Sequence, residues 1–315
     1  MGKYTKSTIK IFFHHAAKYK WLIFFTIFCV TSATAIQSIV PIYYKKFFDT
    51  LTSSGSDKAI FDILISILVI IAVLELVSWF FWRCSGFLNN YVQPKVMKDL
   101  ATRCYAYLHK HSFGFFNDNF VGSIVKRVNR FVFAFEVIAD NIIWYLTGLF
   151  VNTTVILVVL FYRKWQLGLI ILSWVFLFLI INVILAKYKL KYDIVRNEAE
   201  TKASGFLADT VTNHNNVKLF SGYKKEVKSF SNLQEKVRSL RNFTWNLDTI
   251  FEAGQTFLMI VLEIGIMYAA IIYWQRGFLT LGDFVLIQAY IFAIFRHVWN
   301  FGRTLRAIYQ HLADA

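Results

Sequence analysis

Two acids stand where acids are expensive. Glu75 and Glu263 each lie inside a long apolar run, and Arg296 and His297 are adjacent in a third. An ionisable group near mid-membrane costs roughly 2.5–3.5 kcal/mol on insertion scales, so such groups usually face a cavity or a partner. Two roles are open to the acids. They could meet a polar or cationic part of a transported molecule, or they could serve structurally, as an interhelical hydrogen bond or a protonated acid. Arg296 and His297 are candidates for a cavity or inner-leaflet role. Asn152, Asn182 and Gln288, in similar runs, read as interhelical polar contacts. Hydrolytic chemistry finds no support, because neither H-E-x-x-H nor G-x-S-x-G occurs. His14 and His15 are neighbours and do not share a helix face. Cys29, Cys84 and Cys104 show no CxxC and no metal spacing. No catalytic residue, metal ligand or cofactor-binding residue is expected.

The elements that must hold these residues are membrane spans. The chain is 57% hydrophobic and 18% aromatic, above the 45–50% apolar content typical of soluble domains. The excess gathers in six windows, at about 21–44, 60–82, 134–162, 166–186, 250–274 and 278–301. Each is near the ~20 residues a spanning helix needs. Lys3, Lys6, Lys10, Lys18 and Lys20 before an apolar stretch give a signal-peptide outline. Against cleavage, residues 1–20 are long and amphipathic and the apolar character resumes past the small residues, so an uncleaved first span is expected.

Charge sets the orientation. Of the 34 Lys and Arg residues, five precede the first span, eight lie at 83–130, twelve at 187–241, and three late in or after the sixth span. Only six fall on the other side: Lys45, Lys46, Lys58, Arg163, Lys164 and Arg276. The positive-inside rule then puts both termini in the cytoplasm of a multi-pass protein of the plasma (inner) membrane. The net charge of +15 is thereby a topology signal, and no nucleic-acid partner is expected.

The connections are unequal. The outer ones are short, while the inner ones run over about 83–133 and 187–249, too long for structureless loops. Apolar residues continue in them at helical spacing, as at Leu100, Cys104 and Leu108, and only Pro94 interrupts the first. Helix-breaking residues cluster at one place in each: Ser112, Gly114, Asn117, Asp118, Asn119 and Gly122, then Asn213, Asn215, Asn216, Ser221 and Gly222. Each inner connection therefore reads as a helical hairpin reaching into the cytosol. The tips mix aromatic and polar residues as docking surfaces do; a bundle that merely stiffens the membrane part is the plainer alternative.

In this order the pieces resemble the type-1 transmembrane domain of ABC exporters. Pro41 with Phe47, Phe48, Asp49 and Leu51 is similar to the outer end of that family's first helix. Phe115-Phe116-Asn117-Asp118 followed by Gly122-Ser123-Ile124-Val125 resembles its first coupling region. Glu198-Ala199, Asp209, Asn213 and Val217-Lys218-Leu219-Phe220 resemble its second, and Gly277 through Phe284 the start of its sixth helix. The resemblance implies an all-α membrane fold over 21–315 after a cytoplasmic amphipathic segment at 1–20. It implies a transmembrane permease subunit, half of an export pathway, paired with a second half and surrounded by membrane lipids. It also implies coupling to a nucleotide-binding ATPase domain through Phe115, Phe116, Asn117 and Asp118 and through Asn213, His214, Asn215, Asn216 and Val217. No G-x-x-x-x-G-K-[ST] occurs, so the phosphate cradle is missing. ATP and Mg are expected in a C-terminal domain or separate subunit, and this chain is not expected to be an enzyme. The alternative is a regulatory or scaffold membrane protein of the same fold that transports nothing.

Overall fold

The computed structural model describes residues 5–53, 58–118, 121–219 and 222–314, and among them only helices and short turns occur. The chain opens with α1 (Thr5–Ala16), turns through Ala17–Tyr19 and enters α2 (Lys20–Ser53). Then come α3 (Lys58–Leu108), the six-residue α4 (Phe113–Asp118) and α5 (Val121–Asp140). A π turn, Asn141–Leu146, leads into α6 (Thr147–Arg163). The chain continues through α7 (Trp165–Thr212), the short α8 (His214–Leu219) and α9 (Tyr223–Gln275), and closes with α10 (Leu281–Val298) and α11 (Phe301–Asp314). Six helical stretches are long and apolar enough to cross a membrane. Three of them, α3, α7 and α9, have 51, 48 and 53 residues. At 1.5 Å per residue these are ~70–80 Å long, more than twice the ~30 Å hydrocarbon layer, so each runs well beyond the lipid.

Two sequence expectations need correction. Pro94 does not interrupt the first inner connection, because α3 runs through it. Proline forfeits a backbone hydrogen bond and crowds the preceding turn. Here the flanking Val92 and Val96 are buried in a core with Phe12, Leu100, Ala134 and Phe135, which holds the helix across the gap. Lys45, read as an outer-loop charge, lies inside α2, and its side chain is buried.

The chain divides into two compact units, the first reaching to Phe176 and resuming at Val261, the second comprising Leu177–Ile260. In the first, α2 and α3 are antiparallel partners, joined by Val40 against Ile67 and Ile71 and by Ser78 Oγ donating to the Ala33 carbonyl at 3.2 Å. Ser38 of α2 is a polar node. Tyr290 Oη of α10 donates to its carbonyl at 3.0 Å, and Asn152 Nδ2 of α6 donates to its Oγ at 2.8 Å. Interhelical polar contacts of this kind contribute ~0.6 kcal/mol on average in membranes, so the node sets register more than it supplies stability. The turn from α9 to α10 uses Gly277 at φ 72°, a conformation that costs other L-residues roughly 1–2 kcal/mol.

In the second unit, the arms of α7 and α9 pack through Ala199, Ala203 and Val237, with Leu233 and Leu240 alongside. Small residues on one arm let the two backbones come close. Arg241 donates to Glu200 at 2.8 Å, Lys189 pairs with Asp248, and Gln255 Nε2 donates to Asn182 Oδ1 at 2.7 Å. The arms are thus paired along most of their length, as the helical spacing predicts.

Candidate functional site

Three places carry polar or exposed groups that packing alone does not require. The first is the turn between α3 and α5. Its Asn, Ser and Gly residues end α3 and leave only the six residues of α4 before α5 begins. The His111 ring stacks on Phe115 at 4.2 Å between centroids, and Phe115 meets Phe116 edge-on at 5.5 Å. Both phenylalanines are half-buried by these contacts, whereas Phe113 is 82% exposed. The side chains of Asn117 and Asp118 lie outside the described residues, as do Asn119 and Phe120.

The second place is the turn between α7 and α9. The last carbonyls of a helix lack intrahelical partners. Here Asn213 Nδ2 reaches back to the Asp209 carbonyl at 3.0 Å, and His214 Nδ1 lies 3.2 Å from the Val211 carbonyl. Asn213 and His214, named as docking residues from the sequence, are thus partly occupied in ending α7. Asn215 and Asn216 are exposed, Val217 is half-buried, and Leu219 is 77% exposed. Phe220 and Ser221 lie outside the described residues. Each turn therefore presents a large apolar side chain outward among its described residues, Phe113 or Leu219. Of the tip aromatics read as exposed from the sequence, Phe113 is exposed while Phe115 and Phe116 are half-buried, because exposure at a turn depends on which neighbours the short helix buries.

The intramembrane candidates separate. Glu263 Oε1 of α9 accepts from Gln288 Nε2 of α10 at 2.6 Å, which is the interhelical reading of this acid. Glu75 and Arg296 are exposed, on α3 and α10. His297 is half-buried beside Gly148, where a Cβ would come within 3.3 Å of its ring, and its carbonyl accepts from Tyr145 Oη of the π turn. The structure brings Glu263 to Gln288 and His297 to Tyr145; it does not gather the four candidates into one site.

The third place escaped the sequence argument. At the C-terminal end of α2, the buried Lys45 Nζ lies 2.5 Å from Asp49 Oδ2, 3.4 Å from Asp283 Oδ1 and 3.1 Å from Thr280 Oγ1. Thr280 and Asp283 form a reciprocal capping box that starts α10. The Gly282 N–H donates to Asp49 Oδ1 at 2.9 Å, and a Cβ on Gly282 would fall on the Lys45 carbonyl and the Asp49 carboxylate. Only glycine allows this approach. A signal existed in the pattern Thr280-x-x-Asp283, a capping-box spacing, and in Asp49 standing four residues after Lys45 on one helix face.

Residues 23–298 match the family model described as the ABC transporter transmembrane region. The solved structure of a bacterial Atm1-family ABC exporter with ATP bound aligns with a TM-score of 0.80 at 19% identity, covering 95% of this chain and 52% of that one. At this identity the likeness establishes the fold. The ATM1-type heavy metal exporter of Novosphingobium aromaticivorans is 21% identical over 291 residues, which is 91% of this chain and 48% of that protein. The mitochondrial iron-sulfur clusters transporter ABCB7 of Rattus norvegicus is 20% identical over 299 residues, 90% of this chain and 39% of its own length. The chain spans about half or less of the length of these curated relatives.

Proposed function

The chain belongs to the ABC transporter transmembrane family, and from that premise we propose that it forms half of the pathway of an ATP-driven exporter, moved by ATPase domains that grip α4 and α8. The observation that carries this reading is the pair of short turning helices. Each interrupts helices that extend far beyond the lipid, and each leaves a large apolar side chain, Phe113 or Leu219, outward. α4 follows the second span and α8 the fourth, so both face the same side of the membrane, and the lysine-rich connections mark that side as cytoplasmic. Rigid arms transmit displacement as a rigid-body shift rather than absorbing it. ATP and Mg belong to the ATPase domain, on this chain or on a separate subunit, and the present residues supply the pathway and the docking surface. A second transmembrane half completes the pathway. The exposed Glu75 supports this, since a carboxylate left facing lipid would carry the insertion cost given above.

The test places a photo-crosslinking amino acid at Phe113 or Leu219 in the protein as expressed in its membrane, with Leu76 as a lipid-facing control. Adducts containing nucleotide-binding-domain peptides are expected from 113 and 219 and not from 76. Replacing Phe113 by Ser should weaken ATPase-domain association roughly fivefold or more, the scale of losing one interface anchor. Crosslinks that never contain an ATPase domain, from a protein that is correctly inserted, would overturn the assignment.

A further inference from the structure

A cavity of about 360 Å³ lies under α1, within the size range of small-molecule sites. Phe12 and Phe13 of α1 face Ile27 of α2, Val96 of α3, Ile138 of α5 and Ile308 of α11 across it. The polar side chains on its wall are already engaged. Thr26 donates to the Leu22 carbonyl at 2.9 Å, Asn89 to Gln93 at 2.7 Å, and Gln93 to Asp140 at 3.2 Å. The cavity therefore offers its occupant hydrocarbon contact and little else. Its depth is fixed by the sequence. α1 ends just before the first span, and Trp21, at the start of that span, is 68% exposed, as an interfacial aromatic is. Ile27, six residues on in α2, lies nearly two turns deeper, ~9 Å at 1.5 Å per residue. The cavity thus runs from headgroup level into the acyl region.

Its rim is basic. No Asp or Glu precedes Asp49 in the chain. Lys6 and Lys10 are exposed on α1, on the flank next to Phe13, and Lys20 is exposed at the start of α2, on the same side as Ile23 and Ile27. Asp99 is paired with Lys18 at 3.1 Å, and Asp140 accepts from Gln93 of the wall at 3.2 Å. An amphipathic helix with lysines flanking its apolar face sits in the plane of an anionic leaflet, but a cavity beneath it asks for more than surface adsorption. We propose that this cleft binds an anionic phospholipid, one acyl chain filling the cavity and the phosphate resting against Lys6, Lys10 and Lys20. Such a lipid would join α1 to the cytoplasmic ends of α2, α3, α5 and α11.

The test uses the full chain in nanodiscs with trace phosphatidylglycerol carrying a diazirine at the end of one acyl chain, and phosphatidylcholine with the same chain as comparison. Adducts are mapped by mass spectrometry in the absence of ATP and of any ATPase domain, so the outcome does not depend on the transport reading. Phosphatidylglycerol should label peptides holding Ile27, Ile142 or Ile143, the cavity residues inside the spans, roughly tenfold more than phosphatidylcholine, the factor expected from one to two lysine contacts. Ala139→Phe, which fills the cavity, should remove that label while sparing exposed residues of α3 such as Leu76 and Trp79. Ala16→Leu, milder and at the mouth, serves if the first variant folds poorly. Neutralising Lys6, Lys10 and Lys20 to Gln should lower phosphatidylglycerol labelling to the phosphatidylcholine level. Equal labelling by the two headgroups would overturn the proposal. So would label that persists with the cavity filled, or a co-purifying protein segment that shields the cavity.

Discussion

Replacing Lys45 by Met removes a buried cation at the junction of α2 and α10 and strands two carboxylates. Lys45 and Asp283 have side-chain exposures of 5% and 6%, Asp49 27%. Breaking a buried pair by deleting one partner costs roughly 3–5 kcal/mol, because the remaining charge has no counterion. The lower end applies here. Asp49 reaches water, and Asp283 keeps the Thr280 N–H at 2.9 Å and its hydroxyl at 3.0 Å. A loss of about 3 kcal/mol is therefore expected for Lys45→Met. Asp283→Asn alone leaves Lys45 its closer partner, Asp49, and keeps an acceptor for the Thr280 N–H, so it should cost about 1 kcal/mol. In the double variant the stranded charge at 283 is gone, so its loss should fall short of the sum by at least ~1 kcal/mol, as for residues in one network. The assay is SDS-induced unfolding in mixed micelles, followed by far-UV circular dichroism and checked by melting in nanodiscs. Lys45→Met unfolding within ~0.5 kcal/mol of the parent, or strict additivity in the double variant, would show that the three side chains do not act as one cluster.

Two further outcomes follow from the same contacts. Gly282→Ala should destabilise the junction by roughly 1–3 kcal/mol through overpacking, with loss of the 2.9 Å bond from its N–H to Asp49. The same unfolding assay reads it, and a neutral result would mean that α2 and α10 are farther apart in the membrane. Gln288→Leu removes the donor at 2.6 Å from Glu263 and should cost about 1–2 kcal/mol. Glu263→Leu/Gln288→Leu should recover most of that loss in nanodisc melting, whereas equal losses in the single and double variants would argue that Glu263 is held by something else.

The spans and the turning points were legible because both are local properties. Window hydropathy finds α2, α3, α6, α7, α9 and α10, and clusters of Asn, Ser and Gly find α4 and α8. Helix ends were less legible. The first window stops at Tyr44 because Lys45 and Lys46 end the apolar run, yet α2 continues to Ser53. The reason lies far along the chain, where Asp283 neutralises Lys45 and allows its burial. No local rule can see a counterion more than two hundred residues away. The sixth window, 278–301, reads as one helix. In the structure Thr280 caps its start, and turn residues at Trp299 and Asn300 end α10 just before α11 begins at Phe301, the last residue of the window. The π turn at Asn141–Leu146 was likewise invisible, since an extra residue in a helical ladder leaves the apolar pattern of a short window nearly unchanged.

That π turn and the break after α10 belong together. A helix that stops leaves its last carbonyls without intrahelical donors, and His297 is one residue from the end of α10. Its carbonyl is met by Tyr145 Oη, which the π turn carries. The π turn widens the ladder by one residue and shifts the side chains after it around the helix axis. Tyr145 is thereby set toward α10, with Gly148, one turn on, leaving room for the His297 ring. Each irregularity thus supplies what the other lacks: the break frees an acceptor, and the π turn places the donor. An isolated break in α10 would leave a polar group unsatisfied in lipid, at a cost of several kcal/mol. An isolated π turn would spend backbone geometry for nothing. Their coincidence is the physical reason that the third and sixth spans depart from regular helix where they meet.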